Sequence, residues 1–256
     1  MTENPFLIQA PLRAHINRAQ SIALVIGVVF TALSIIQFFI SPTQFFRSWM
    51  IGFLFPFALG LGSLACLMLQ YMSGGAWGMV VRRQLEAGSR TIPYVTLMFI
   101  PLLFGLHSLY EWADPNVVAH DPVVREKSAY LNPQWWYIRT AIVFIIWNIY
   151  AFVLSRLSLQ EEENSSVEAS RRLMGWSSIG LVIYVFSLTC AGTDWIMSMN
   201  VHWFSTIYGL ILLGGQGLTV ISLAIITTTL LMKEQPLLGI ITKKHLHDLG
   251  KLLFMF

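Results

Sequence analysis

Charge is scarce in this chain. Only 11% of its 256 residues are Asp, Glu, Lys or Arg, 55% are hydrophobic, and the mean hydropathy is +0.64. That balance excludes an ordinary soluble domain, in which about a quarter of the residues are charged. The net charge of +3 gives no reason to expect nucleic acid as a partner. Cysteine is nearly absent too: Cys66 and Cys190 both fall inside apolar stretches, with no CxxC, CxxCH or finger spacing. A disulfide framework, a c-type haem and a zinc finger are therefore not expected, and both thiols read as packing residues. No glycine loop for phosphate, nucleophile elbow or HExxH is present. A b-type haem needs a His from each of two facing helices at similar depth. Of six histidines, His15, His120, His245 and His247 lie in polar segments, leaving His107 and His202, whose spacing does not recommend them as a pair. No haem, flavin or metal is expected in this chain, and no repeat of 20–50 residues is visible.

What the chain has is length without charge. Residues 22–40, 49–79, 92–110, 141–155, 173–193 and 203–232 contain no Asp, Glu, Lys or Arg. Five of the six reach the roughly 18 to 20 residues that cross a ~30 Å hydrocarbon core as helix, and the fourth does so if it starts at Trp135. Only helices and closed barrels satisfy their backbone in lipid, and runs this long are helices. The expectation is an all-α polytopic transmembrane bundle forming a single integral membrane domain. Its helices are placed at about residues 20–40, 49–71, 92–110, 135–156, 173–194 and 203–232. Residues 251–256 read as the start of a seventh, with sequence expected to continue beyond. The first run is too long for a signal-peptide core and lacks a small-x-small cleavage site, so it reads as an uncleaved helix.

The segments between the runs set the orientation. Twelve basic residues fall at the N-terminus and in residues 80–91, 156–172 and 233–251, against four on the other side. The excess predicts a cytoplasmic N-terminus, with 80–91, 156–172 and 233–251 inside and 111–134 outside. Gly60, Gly62, Ser63 and Ala65 predict close approach of the second helix to a neighbour. Trp135-Trp136-Tyr137 reads as an interfacial aromatic belt. Glu161–Glu163 reads as solvated surface, and Ser165-x-x-Glu168 as a capping box leading into the fifth helix. Gly214-Gly215-Gln216-Gly217 interrupts the sixth run, either for packing or to expose backbone to a cavity.

Ionisable groups at membrane depth usually face the bundle interior or a wet cavity and mark proton relays or ligand sites. Five polar groups are expected near the outer third: His107, Glu111, Arg139, Asp194 and His202. His107 and Glu111, four apart, would put an imidazole above a carboxylate on one helical face. Asp194, at the end of a charge-free run, would pass a proton with His107 if both face a wet cavity near Arg139. The alternative for each is an interfacial residue reaching to water.

Several stretches carry a family resemblance. Gly74-Gly75-Ala76-Trp77-Gly78, followed by Arg82-Arg83-x-Leu85-Glu86-Ala87-x-Ser89-Arg90-Thr91-x-Pro93, resembles the first inner loop of the F subunit of alternative complex III. That complex is the bacterial quinol:cytochrome c (or electron carrier) oxidoreductase, with a polysulfide-reductase-like (NrfD-like) membrane core. Residues 101–110, Lys127-x-x-Tyr130-Leu131-Asn132, Thr193-Asp194-Trp195-Ile196-Met197-Ser198 and residues 202–209 are similar to the same subunit. The resemblance implies about ten helices in two four-helix bundles, of which the chain covers the first and little of the second. It also implies a subunit without a working quinone site that offers a polar proton half-channel, carried here by His107, Arg139, Asp194 and His202. Glu111 is added from spacing alone. Asn200-Val201 departs from the acidic residue and proline expected before His202.

The function expected is a cofactor-free membrane subunit of that respiratory complex in the bacterial inner membrane. Its expected partners are an NrfD-like paralogue, a multihaem cytochrome, an iron–sulfur subunit and lipids, with quinone left open as a further one; quinol and the haem and iron–sulfur centres would sit in the partner subunits. Its rivals are a quinol-binding subunit of the same complex, with a lipid-open pocket ending at His107 and Asp194; a secondary transporter, resting on the interrupted sixth run; and a purely structural anchor.

Overall fold

The computed structural model describes residues 10–163, 166–232, 234, 239 and 241–256. Among them all regular structure is helical. The chain runs through α1 (Ala10–Ile40), α2 (Pro42–Ser73), α3 (Ala76–Ser89), α4 (Ile92–Phe104) and the single turn α5 (Leu106–Leu109). It continues through α6 (Pro115–His120), α7 (Pro122–Lys127), α8 (Pro133–Glu163), α9 (Val167–Trp195), α10 (Tyr208–Leu231) and α11 (Lys243–Met255). Six stretches are long and apolar enough to cross a bilayer: Leu12–Ile40, Pro42–Ser73, Trp77–Phe104, Pro133–Glu163, Val167–Met199 and Tyr208–Leu231. The expected all-α chain with apolar helices long enough to span a membrane is therefore found, and most of these helices start earlier or end later than the charge-free runs.

The largest departure from the sequence reading is at residues 80–91, expected as a loop. They are helical. Gly74 and Gly75 take φ of +64° and +96°, a left-handed reversal that only glycine adopts without strain. This turns α3 back along α2, where Val81 and Leu85 are buried with Leu67, Ile221 and Leu249. At Arg90-Thr91 the helix steps rather than ends: the Thr91 hydroxyl donates to the Gly88 carbonyl at 2.7 Å, and α4 restarts with Pro93 in its first turn. The third crossing is thus α3 and α4 in series.

The sixth run also differs. It begins at Tyr208 rather than Trp203 and passes unbroken through Gly214–Gly217. These small residues serve packing: a Cβ on Gly217 would strike the Phe256 ring at 2.5 Å. On the other side of α10, Gly62 of α2 lies so close that a Cβ there would sit 2.8 Å from the Gln216 carbonyl oxygen. The closing helix starts at Lys243, eight residues before the expected turn, and lies against α10 and α3. At the head of α9, Ser166 is the N-cap, accepting from the Ala169 amide at 3.1 Å; the expected cap Ser165 lies outside the described residues.

Lipid tails are as apolar as leucine, so tight packing and interhelical hydrogen bonds hold such helices together. Here the centre is aromatic. Trp195 packs on Phe99 and Phe144 with ring centroids at 4.5 and 5.2 Å, and Phe53, Phe57 and Trp147 close around it. Two of these indoles are hydrogen-bonded across the bundle: Trp195 Nε1 donates to Thr140 Oγ1 at 3.0 Å, and Trp147 Nε1 to Ser187 Oγ at 2.9 Å. Tyr184 donates across the bundle to the Gln216 side-chain oxygen. By contrast α1 stands apart, with nothing of its apolar stretch buried, and meets α2 through Phe38 on Phe45 and Phe46.

Candidate functional site

Antiparallel neighbours bring two sets of polar groups to opposite ends of the bundle. At the end formed by residues 105–132 and 196–207, α8 and α9 place Arg139 and Asp194 face to face. Arg139 Nε donates to Asp194 Oδ2 at 2.6 Å and Nη2 to Oδ1 at 3.0 Å, a two-pronged pair on a carboxylate only 1% exposed. The guanidinium also donates to the Tyr130 carbonyl at 3.0 Å and lies 3.9 Å over the Tyr130 ring. Cys190 Sγ sits 3.7 Å from Tyr130 Oη and 4.0 Å from Asp194 Oδ2. Burial first, then the Asp194 carboxylate, holds the Tyr130 hydroxyl well above the ordinary phenol range. The Asp194 carbonyl is fixed as well, accepting from Trp136 Nε1 at 3.0 Å and Ser198 Oγ at 2.7 Å. Trp136, expected in an interfacial belt, is fully buried by this bond, while Trp135 and Tyr137 face outward.

The other three candidates do not join this pair. The face expected to carry His107 above Glu111 does not form. The helix breaks at Gly105, continues for one turn, and gives way to an extended Tyr110 with φ −125° and ψ 118°. His107 and Glu111 therefore lie on different elements, both exposed, and among the described residues neither side chain makes a hydrogen bond or ion pair. His202 turns away as well. Its Nε2 meets Asp121 Oδ2 at 3.0 Å, while Lys127 Nζ donates to the adjacent Val201 carbonyl at 2.6 Å. These two contacts fasten residues 200–204 to α7. Desolvation raises the Asp121 carboxyl slightly, but the Val123 and Val124 amides it caps, with His202, bring it below the usual carboxylate range.

A recess of about 430 Å3 opens beside the Arg139–Asp194 pair, lined by Lys127, Tyr130, Thr193, Asn200, Trp203 and Phe204 among others. Neither His107 nor Asp194 lines it, so it is not the lipid-open pocket that a quinol-binding reading asked for.

At the opposite end lies a polar network that the sequence reading missed. Glu86 is 4% exposed. Its Oε1 accepts from Arg82 Nε at 3.0 Å, Ser158 Oγ at 2.6 Å and Tyr71 Oη at 3.1 Å. Its Oε2 accepts from Arg83 Nη1 at 2.9 Å. Arg82 reaches on to Glu161 at 2.5 Å, and Arg83 pairs with Glu162. The glutamate run expected as solvated surface therefore ties α8 to α3, and Ser170 Oγ adds α9 through Glu161 at 2.9 Å. The signal was present in Arg82-x-x-x-Glu86 and Arg83-x-x-Glu86, which are helical spacings. It was masked because glycine and charge made the segment read as loop.

Among the described residues no cluster of three or more His, Cys, Asp or Glu is placed to hold a metal ion. Comparison with protein-family models and with curated proteins returns no match.

Proposed function

We propose that this chain is a membrane subunit of a respiratory quinol:cytochrome c (or electron carrier) oxidoreductase in the bacterial inner membrane, carrying no redox centre of its own and scaffolding its neighbours. The observation that carries the reading is where the resembling stretches lie. Tyr110 Oη donates to the Trp195 carbonyl at 2.9 Å, and Tyr130 stacks on the Arg139 that holds Asp194. Resembling stretches distant in sequence thus meet at one node, which supports a structural role for those motifs. The stretch 74–93 supplies the Glu86 network at the other end. The exposed, charge-free stretch 22–40 of α1 suits a chain embedded among partners as well as lipid.

A second reading keeps the complex and adds the proton half-channel. It is favoured by the sequence of polar groups from the recess through Tyr130 and Cys190 to Asp194. Against it, protonating a carboxylate held at both oxygens by a guanidinium forfeits that ion pair and leaves the Arg139 charge uncompensated. The transporter reading loses its support, since α10 is continuous.

The test is purification of the full chain from its native membrane in mild detergent, with partners identified by mass spectrometry and visible spectra. A multihaem cytochrome and an iron–sulfur protein are expected in constant ratio, with no Soret band from the chain itself. A homo-oligomer without them overturns the assignment.

A further inference from the structure

We propose that Arg90 and Arg156 together hold the headgroup of an anionic phospholipid, in the leaflet at the Glu86 end of the bundle. Arg90 stands at the step between α3 and α4, exposed, its Nε donating to Ser155 Oγ at 3.0 Å. The residue after Ser155 is Arg156, also exposed, with its guanidinium 4.6 Å over the Phe152 ring. The contrast with their neighbours is informative. Arg82 and Arg83, at the same end, are neutralised by Glu86, Glu161 and Glu162. Among the described residues Arg90 and Arg156 have no carboxylate. The single contact to Ser155 occupies one of five donors on Arg90, and stacking on Phe152 leaves all five of Arg156 open.

Two guanidinium groups without a carboxylate, one bonded to Ser155 and the other on the next residue, call for an anion, and their planar forks match the oxygens of a phosphate. What makes the anion a lipid is the surface toward the centre of the span. There α8 presents Ile142, Ile145, Ile149 and Phe152, each at least half exposed and spaced three or four residues apart. An acyl chain lying on that stripe brings its phosphate to the level of Arg156. A zwitterionic headgroup would bring its own cation against the pair, so the fit is to a headgroup of net negative charge.

The experiment uses the full chain in nanodiscs of phosphatidylcholine containing a minor fraction of phosphatidylglycerol. Spin-labelled lipids report the relative association of the two. One arginine near an anionic surface is worth about a fivefold preference, so the pair gives roughly twentyfold selectivity for phosphatidylglycerol. Arg90→Gln and Arg156→Gln are each expected to lower it about fivefold, and the double variant to leave little. Arg171→Gln, an exposed arginine of α9 at the same end, is the control for diffuse attraction and should change it far less. An equal effect of Arg171→Gln and Arg156→Gln overturns the proposal. Should a variant fail to fold, the unaltered chain decides. Selectivity that inorganic phosphate does not displace supports a lipid site, and no selectivity, or its loss to phosphate, overturns it.

Discussion

Replacing Asp194 by Asn tests what the buried pair contributes. The swap is isosteric and opens no cavity, but it puts an NH2 group where Arg139 donates. Whichever way the amide turns, one of the contacts now at 2.6 and 3.0 Å becomes donor against donor. Removing one partner of a buried ion pair costs about 3–5 kcal/mol, because the other charge is left uncompensated. Arg139 keeps 16% of its side chain exposed, along with the Tyr130 carbonyl and ring, so partial rehydration favours the lower end, about 3 kcal/mol. The double change Arg139→Gln with Asp194→Asn removes both charges and is expected to be more stable than Asp194→Asn alone. Titration of the full chain in mixed micelles with a denaturing detergent, in a double-mutant cycle, isolates the coupling. A loss below 1 kcal/mol for Asp194→Asn, or a double variant no better than the single, refutes the structural role. If the pair is structural, assembly and turnover fall together in Asp194→Asn. An Asp194→Asn complex that assembles normally and turns over slowly would instead favour the proton half-channel.

Glu86→Gln should cost about 3 kcal/mol in the same titration, chiefly because the half-buried Arg82 then faces a neutral group with only Glu161 to compensate it, while the exposed Arg83 keeps Glu162. Gly62→Ala, which drives a methyl against the Gln216 carbonyl, should cost about 1–3 kcal/mol, while Gly52→Ala, with open space around it, should be tolerated; equal losses would argue against the close α2–α10 approach. Because the Asp121 carboxyl is lowered by folding, its stabilisation of α7 should be full above the ordinary carboxylate range and vanish as pH falls through its own lower value. Hydrogen-exchange protection of the Val123 and Val124 amides checks this, and protection unchanged between neutral and strongly acidic pH would contradict it. A single cysteine at Asn116, in a chain with both native thiols replaced, should react with an impermeant maleimide from the periplasmic side; reaction only from the cytoplasmic side would invert the topology.

The site was only half legible in advance. Arg139 and Asp194 stood out as charges inside apolar runs, and helix spacing alone could not say that they pair with each other rather than with histidines. His107 and Glu111 satisfied an i, i+4 rule that presupposes an unbroken helix, and the break at Gly105 and the extended Tyr110 removed the premise. The Glu86 network was hidden by composition: a short glycine- and arginine-rich stretch between two apolar runs looks like a loop. Whether it is one depends on whether another helix offers a face for Val81 and Leu85.

What the sequence by itself determined is the class of the molecule, an all-helical chain with six stretches long and apolar enough to cross a membrane. In hydrocarbon every backbone polar group must be paired within its own segment, so long charge-free runs have one solution, the helix, wherever their neighbours lie. The neighbours were decided by tertiary structure alone. Two positive-φ glycines fold α3 onto α2, and the antiparallel run of α8 and α9 then sets Arg139 against Asp194. The same packing places Glu161 and Glu162 within reach of Arg82 and Arg83. Hydropathy carries no such information, because lipid and protein interior are equally apolar, and only the fit of small residues, indoles and paired charges distinguishes one arrangement of helices from another.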